Sequence, residues 1–288
     1  MTALLIARYT LLEALRRRVL LALVVLSLAY LGLFALGFWL LHREVAQEAS
    51  RSSGAGGQAA LPMFSAVMAL LGFYALSFLA SLMAIFAAAG AIAGEVESGV
   101  IHAVLARPLR RRDVVLGKWI GQAVLLSVYV AVMTAGMVAA SQIAAGYSPP
   151  YPFQAAAFIA WSALILLSLG TLGGTFLPTL ANGVAAFLLF GLSRVAGFIE
   201  AIGQFVKSDA MVNLGIGVSL AIPNDVLWQA ASYYRQPQTL ILAQSASPGT
   251  IIPFASSTPP TTSMLLWSAG YIVAALIGAI AIFGRRDL

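Results

Sequence analysis

Residues 63–93 read MFSAVMALLGFYALSFLASLMAIFAAAGAIA, 31 positions without one charged side chain. The hydrocarbon core of a membrane is about 30 Å thick, and about 20 helical residues cross it. At about 1.5 Å per residue this stretch makes roughly 46 Å of helix, so it must tilt, break at a glycine or protrude. Helix is the form that lipid demands, because each backbone N–H and C=O has to find its partner within the segment. The short alternating strands of a transmembrane barrel are not seen.

Comparable apolar runs lie at about 19–41, 114–145, 154–177, 179–206 and 263–283, with only Pro178 between the fourth and fifth spans. The expected fold is therefore an all-α polytopic membrane protein with about six transmembrane helices. Composition agrees: the 288 residues are 61% hydrophobic and 9% charged, with a mean hydropathy of +0.94. Soluble domains carry about 25% charged residues. Residues 1–288 thus read as a single membrane domain, with too little polar sequence to fold a soluble enzyme.

The placement of Lys and Arg sets the orientation. Arg8, Arg16, Arg17, Arg18, Arg107, Arg110, Arg111, Arg112, Lys118, Arg285 and Arg286 share the side of the N-terminus. Arg43, Arg51, Lys207 and Arg235 fall on the other side, and Arg194 lies inside a span. The positive-inside rule then predicts that both termini are cytoplasmic, in the cell (inner) membrane. The net charge of +6 reads as topology rather than as nucleic-acid binding. Although Arg16–Arg18 precede an apolar run, that run is too long for a signal peptide and lacks a small-residue cleavage site. It is expected to stay as the first span.

Residues 1–18 are expected to form a cytoplasmic interfacial helix, with Leu4, Leu5, Ala7, Leu11, Leu12, Ala14 and Leu15 on one arc. The competing reading makes it a plain extension of the first span. Residues 42–62 read as an outer loop, flexible over the Ser-, Gly- and Ala-rich Ala49–Ala60. Residues 94–113 form a cytoplasmic loop, and 207–262 an extracytoplasmic segment. Within the latter, Met211–Ile222 is apolar but too short to cross, which suggests a re-entrant or interfacial helix. Asn224 is placed to cap a second short helix running to Tyr234, with Asp225 in its first turn.

Catalytic constellations are missing. There is no cysteine, and the two histidines, His42 and His102, sit at a membrane boundary and in a loop. Neither a nucleophile elbow nor a His-Glu-x-x-His zinc motif occurs, and no metal site can be assembled. Gly117-Lys118 is followed by Trp119 and lacks the upstream glycine of a phosphate-binding loop, so it cannot cradle a nucleotide. Any nucleotide-driven work must draw on another polypeptide. Arg194 and Glu200 are the charges in or near the fifth span. An arginine at mid-helix costs about 2.5–3.5 kcal/mol on insertion scales, so it needs a partner or a wet cavity. It either lines a translocation path or sits in a structural pair. Six residues separate it from Glu200, which does not stack the two on one helical face. Gly90-x-x-x-Gly94, Gly117-x-x-x-Gly121 and Gly170-x-x-x-Gly174 read as helix-packing sites.

The loop after the second span carries more. It runs Glu95-Val-Glu97-Ser-Gly99-Val-Ile-His-Ala-Val-Leu105-Ala-Arg107-Pro108-Leu-Arg110-Arg111-Arg112-Asp113-Val-Val-Leu-Gly117-Lys118. This resembles the loop between the first core helices of ABC type-2 transporter permeases, where Glu-x-Glu-x-Gly-Thr precedes a leucine-rich turn, a proline, an arginine step and a helix opened by Gly-Lys. Val100 departs from the usual threonine. The six-span layout, the N-terminal helix ending in Arg16–Arg18 and the terminal Phe283-Gly-Arg285-Arg286-Asp287-Leu288 are similar too. Within the family there is a fainter likeness to the permease of the nitrous-oxide-reductase maturation exporter.

The resemblance implies a non-catalytic exporter subunit that works with a second permease copy or a related permease and with an ABC ATP-binding subunit. That partner would hold the ATP and magnesium, leaving no cofactor in this chain. It further implies ATPase coupling through Glu95, Glu97, Gly99, Arg107, Pro108, Arg110, Arg111, Arg112, Gly117 and Lys118, with Arg194 and Glu200 along the pathway. The arginines equally suit contact with anionic lipid. From the residues alone two other classes stay open: a stand-alone secondary carrier, which usually needs midplane carboxylates that are scarce here, and a non-transporting scaffold.

Overall fold

The computed structural model describes residues 2–51, 55–99, 110–246, 255–256 and 258–285. Every regular element among them is a helix: α1 (Thr2–Ala14), α2 (Arg18–Arg51), α3 (Ala55–Ala89), α4 (Ala93–Glu97), α5 (Arg111–Ala145), α6 (Pro152–Gly173), α7 (Thr179–Val206), α8 (Asp209–Ala221), α9 (Asn224–Arg235), α10 (Gln238–Ala246) and α11 (Thr262–Arg285). Six are long and apolar enough to cross a membrane: α2, α3, α5, α6, α7 and α11. The chain is an integral membrane protein of the expected all-α class.

The middle of the bundle is α3. Leu70, Phe73, Leu76, Ala80, Ala84 and Ala88 pack against Leu126, Val130 and Met137 of α5, Ile159, Ala163 and Leu166 of α6, and Phe190 of α7. By contrast, α2, α7 and α11 turn leucines, isoleucines and phenylalanines outward, as a surface solvated by lipid tails does. The polar groups of the spans are satisfied between helices. Tyr30 donates to the Gly72 carbonyl at 2.8 Å, Ser27 and Tyr129 share a 2.6 Å hydrogen bond, and the Trp119 indole donates to Ser168 at 2.9 Å.

Two expectations change, and one of three alternatives for the second span is resolved. Residues 42–62 are not a loop in their described part: α2 continues to Arg51 and α3 already begins at Ala55. Leu41-His-Arg-Glu-Val-Ala-Gln-Glu-Ala-Ser-Arg51 is rich in strong helix formers, so propensity carries the helix beyond the apolar run. The second span does break at a glycine, since α3 ends at Ala89 and a turn at Gly90–Ile92 leads into α4. Asn224 is not a cap. It is the first residue of α9, and its side-chain and backbone oxygens both accept from Ser162 of α6. The Asp225 N–H is instead taken by the Ser193 hydroxyl of α7 at 3.1 Å. The short helices α8 and α9 meet at 103°, the bent pair expected of a re-entrant or interfacial segment.

The N-terminal helix is separate from the first span, with a turn at Leu15–Arg17 between them. The stripe it buries is small: Ala7, Thr10 and Ala14 face the protein while Leu4, Leu5, Leu12 and Leu15 are exposed. The expected apolar arc is therefore split: Ala7, Leu11 and Ala14 turn to the protein and Leu4, Leu5, Leu12 and Leu15 outward. Small residues form the buried stripe because the opposing surface of α5 is glycine. A β-carbon on Gly117 would lie 2.7 Å from the Ala3 carbonyl oxygen, and one on Gly121 would lie 2.5 Å from that of Ala7. At the far end α5 closes on Gly146 at φ +64°, which returns hydrogen bonds to the last carbonyls.

Candidate functional site

At the α1 end of the bundle five helix termini meet. The last carbonyls of α3 have no partners within the helix and need donors from outside. Ala87 O accepts from Gln122 at 2.9 Å, Ala89 O from Asn182 at 3.4 Å, Gly90 O from Arg17 at 3.2 Å and Ala91 O from Lys118 at 2.6 Å. Cationic donors suit this place, because a helix C-terminus carries about half a negative charge. Lys118 is 5% exposed and also forms an ion pair with Glu95 of α4. Arg17 is held in turn by Glu13 at 2.8 Å.

The other acidic residue of α4 works on α7. Pro178, the residue before that helix, has no capping side chain. Both oxygens of Glu97 do the work, accepting from the Thr179 N–H at 2.8 Å and its hydroxyl at 2.9 Å. Arg111, the first residue of α5, donates to the carbonyls of Phe283 and Gly284 at 3.1 and 3.3 Å and so holds the end of α11. Replacing Glu97 with alanine is expected to fray the first turn of α7 while leaving α3 intact. Hydrogen exchange at the Thr179–Gly183 amides checks this; unchanged protection there would refute the cap.

The structure thus brings Glu95, Glu97, Arg111, Gly117 and Lys118 into one tied cluster. Gly99 adopts φ +73°, a backbone conformation that a side chain resists. Arg110 is exposed and Arg112 lies 3.7 Å from Asp113. Arg107 and Pro108, with Val100, fall outside the described residues. Reading the sequence alone missed Gln122 and Thr179, which carry no motif, and saw Arg17 only as one of three N-terminal arginines; their roles are recognisable only once α3 and α7 have ends to be capped.

A second constellation lies inside the bundle. Arg194 of α7 is 7% exposed; it donates to Ser77 of α3 at 2.9 Å and lies 3.4 Å from the Asp225 carboxylate of α9. Its guanidinium stands 5.3–5.8 Å from the rings of Tyr74, Phe190 and Trp228. Asp225 in turn accepts from Gln229 at 3.1 Å. Arg194 thereby belongs to a buried ion pair that joins α3, α7 and α9. Glu200 makes no hydrogen bond or ion pair within it: its partner is Gln204, and it projects from α7 against Gly215 of α8, near enough to Asp225 for the two carboxylates to repel. Asp225 was legible beforehand only as a first-turn acid, since 31 residues separate it from its partner.

Comparison with known proteins adds one match. The sequence fits the family model described as ABC-2 family transporter protein over residues 4–288. No curated protein matches the sequence.

Proposed function

The chain belongs to the ABC-2 transporter family, and from that premise we propose that it is an exporter permease that docks a separate ATP-binding subunit against the α1 end of its bundle. Membership makes it a membrane permease of the ABC class; the docking face, the direction of transport and the pairing are the proposal. One observation supports the docking face above the rest. The termini of α3, α4, α5, α7 and α11 are cross-tied there by Lys118–Glu95, Glu97–Thr179 and Arg111–Phe283, so a push on α4 is felt by all of them. Elements tied end to end in this way transmit small displacements to one another. The unevenly placed arginines support a cytoplasmic setting for that end, with both termini there and the inner membrane as location. ATP and magnesium would be held by the partner.

Pairing with a second permease is supported by the surface of α2. An apolar groove between α2 and α5 is floored by Gly32, Ala35, Ala140 and Ala144 and walled by Leu28, Trp39 and Ile143, a surface suited to another helix.

The test is to purify the tagged chain from its native membrane in mild detergent and to identify its stoichiometric partners by mass spectrometry. An ATP-binding subunit at equal stoichiometry is expected. Reversing the exposed Arg110 and Arg112 to glutamate should reduce the co-purified ATPase by at least about tenfold while the permease stays folded, since like charges across an interface are strongly unfavourable. A chain that arrives alone would favour a carrier or scaffold.

A further inference from the structure

The second buried arginine is unlike the first. Arg235 ends α9 and is 2% exposed, yet its Nε, Nη1 and Nη2 have no hydrogen-bond partner among the described residues. Its guanidinium lies 3.5 Å over the ring of Phe73. Beside it is Tyr147, just past the Gly146 cap of α5, whose hydroxyl is also buried and unpartnered. The two side chains interact electrostatically. Two side chains from different elements therefore hold unused donors in one buried place.

The described residues offer no countercharge. The sequence has ten carboxylates. Nine are described, and none lies within ion-pair distance of Arg235: Glu13, Glu95, Asp113 and Asp225 pair with other cations, Glu97 holds Thr179, and Glu200 binds Gln204. The tenth, Asp287, lies outside the described residues. Residues 236–262 contain no Asp or Glu. An arginine buried without compensation is strongly disfavoured, and Arg194 shows how the same bundle treats one it neutralises itself.

We propose that Arg235 and Tyr147 form an internal binding site for a phosphate-type oxyanion, either a free anion or the headgroup of a lipid. Stacking on Phe73 occupies one face of the guanidinium and leaves its edge donors in plane, the geometry that meets an oxyanion with two parallel hydrogen bonds. The Tyr147 hydroxyl supplies a further donor. The inference goes beyond the coupling role proposed above and needs neither an ATPase nor a transported substrate.

The experiment uses the full chain, purified in detergent and stripped of lipid, with its melting followed by tryptophan fluorescence. Inorganic phosphate and short-chain phosphatidylglycerol are titrated separately, with chloride at matched ionic strength as the control. Phosphate is expected to raise the melting temperature if a free anion occupies the site, and only phosphatidylglycerol if the headgroup does. In Arg235→Gln the shift should be lost, and the unliganded protein should melt no lower than wild type because an uncompensated charge is gone. Tyr147→Phe should weaken half-saturation about tenfold, the size of one hydrogen bond to a charged group. Three results would overturn the site: no shift with either probe in the wild type, an equal shift in Arg235→Gln, or an Arg235→Gln chain that no longer folds and so reveals a structural role.

Discussion

Changing Asp225 alone to asparagine should lower the stability of the folded bundle by about 3–5 kcal/mol, because it strands the Arg194 guanidinium in a place where water cannot reach it. Ser77 still accepts one N–H, and three aromatic rings still face the cation, but none of them carries a formal negative charge. Arg194→Leu should cost a similar amount by leaving the carboxylate alone beside Gln229. The diagnostic variant is the double one, Arg194→Leu with Asp225→Asn, which removes both charges at nearly constant volume. It should melt higher than either single variant, since neither buried charge is then left without its partner. Thermal unfolding of the detergent-purified proteins reads all three; a double variant destabilised by the sum of the two single losses would mean that the two side chains act independently.

Gly121→Leu should be the most disruptive change at the α1 end. Even the first carbon of the new side chain would sit 2.5 Å from the Ala7 carbonyl oxygen and 3.0 Å from Thr10 Cβ, so the backbone of α1 must move away. Overpacking of this kind costs about 1–3 kcal/mol where the site can relax, and here the relaxation available is loss of the helix from its seat. A 13-residue helix without tertiary support is marginal in water. The spans should remain intact while the Ala3–Ala14 amides lose protection in hydrogen exchange. Under the proposed function the bound ATPase falls with them. Amides in α1 that stay as slow as in wild type would contradict the seating described above.

Six spans were legible because crossing a membrane needs long charge-free stretches, and Leu61–Glu97 or Thr262–Arg285 cannot be mistaken for anything else. What escaped follows from the solvent. In lipid, leucine is as welcome outside as inside, so the leucine arc of α1 said nothing about which face meets the protein; alanine and glycine decided it. The polar stretch after Leu41 looked like a loop because leaving the membrane was confused with leaving the helix. Arg194 was visible as a charge in need of company, but its partner lies on another helix, and sequence spacing carries no information about that. The loop around Glu95 was found through its likeness to a family. Its actual contacts, to helix ends rather than to open solvent, required α3 and α7 to be in place.

One long element ties these observations together mechanically. Helix α5 begins where Arg111 grips α11, carries Gly117, Lys118 and Gln122 past α1 and the end of α3, and finishes at Gly146, one residue before Tyr147. A straight helix is stiff along its axis, so it behaves as a beam. With 35 residues it is roughly 52 Å long at about 1.5 Å per residue, and a tilt of about 5° about one end sweeps the other through about 4.5 Å. That sweep is about the contact distance between two packed carbon atoms, enough to break a packing contact. A hand on the α1 end of this beam is therefore also a hand on the ledge beside Arg235.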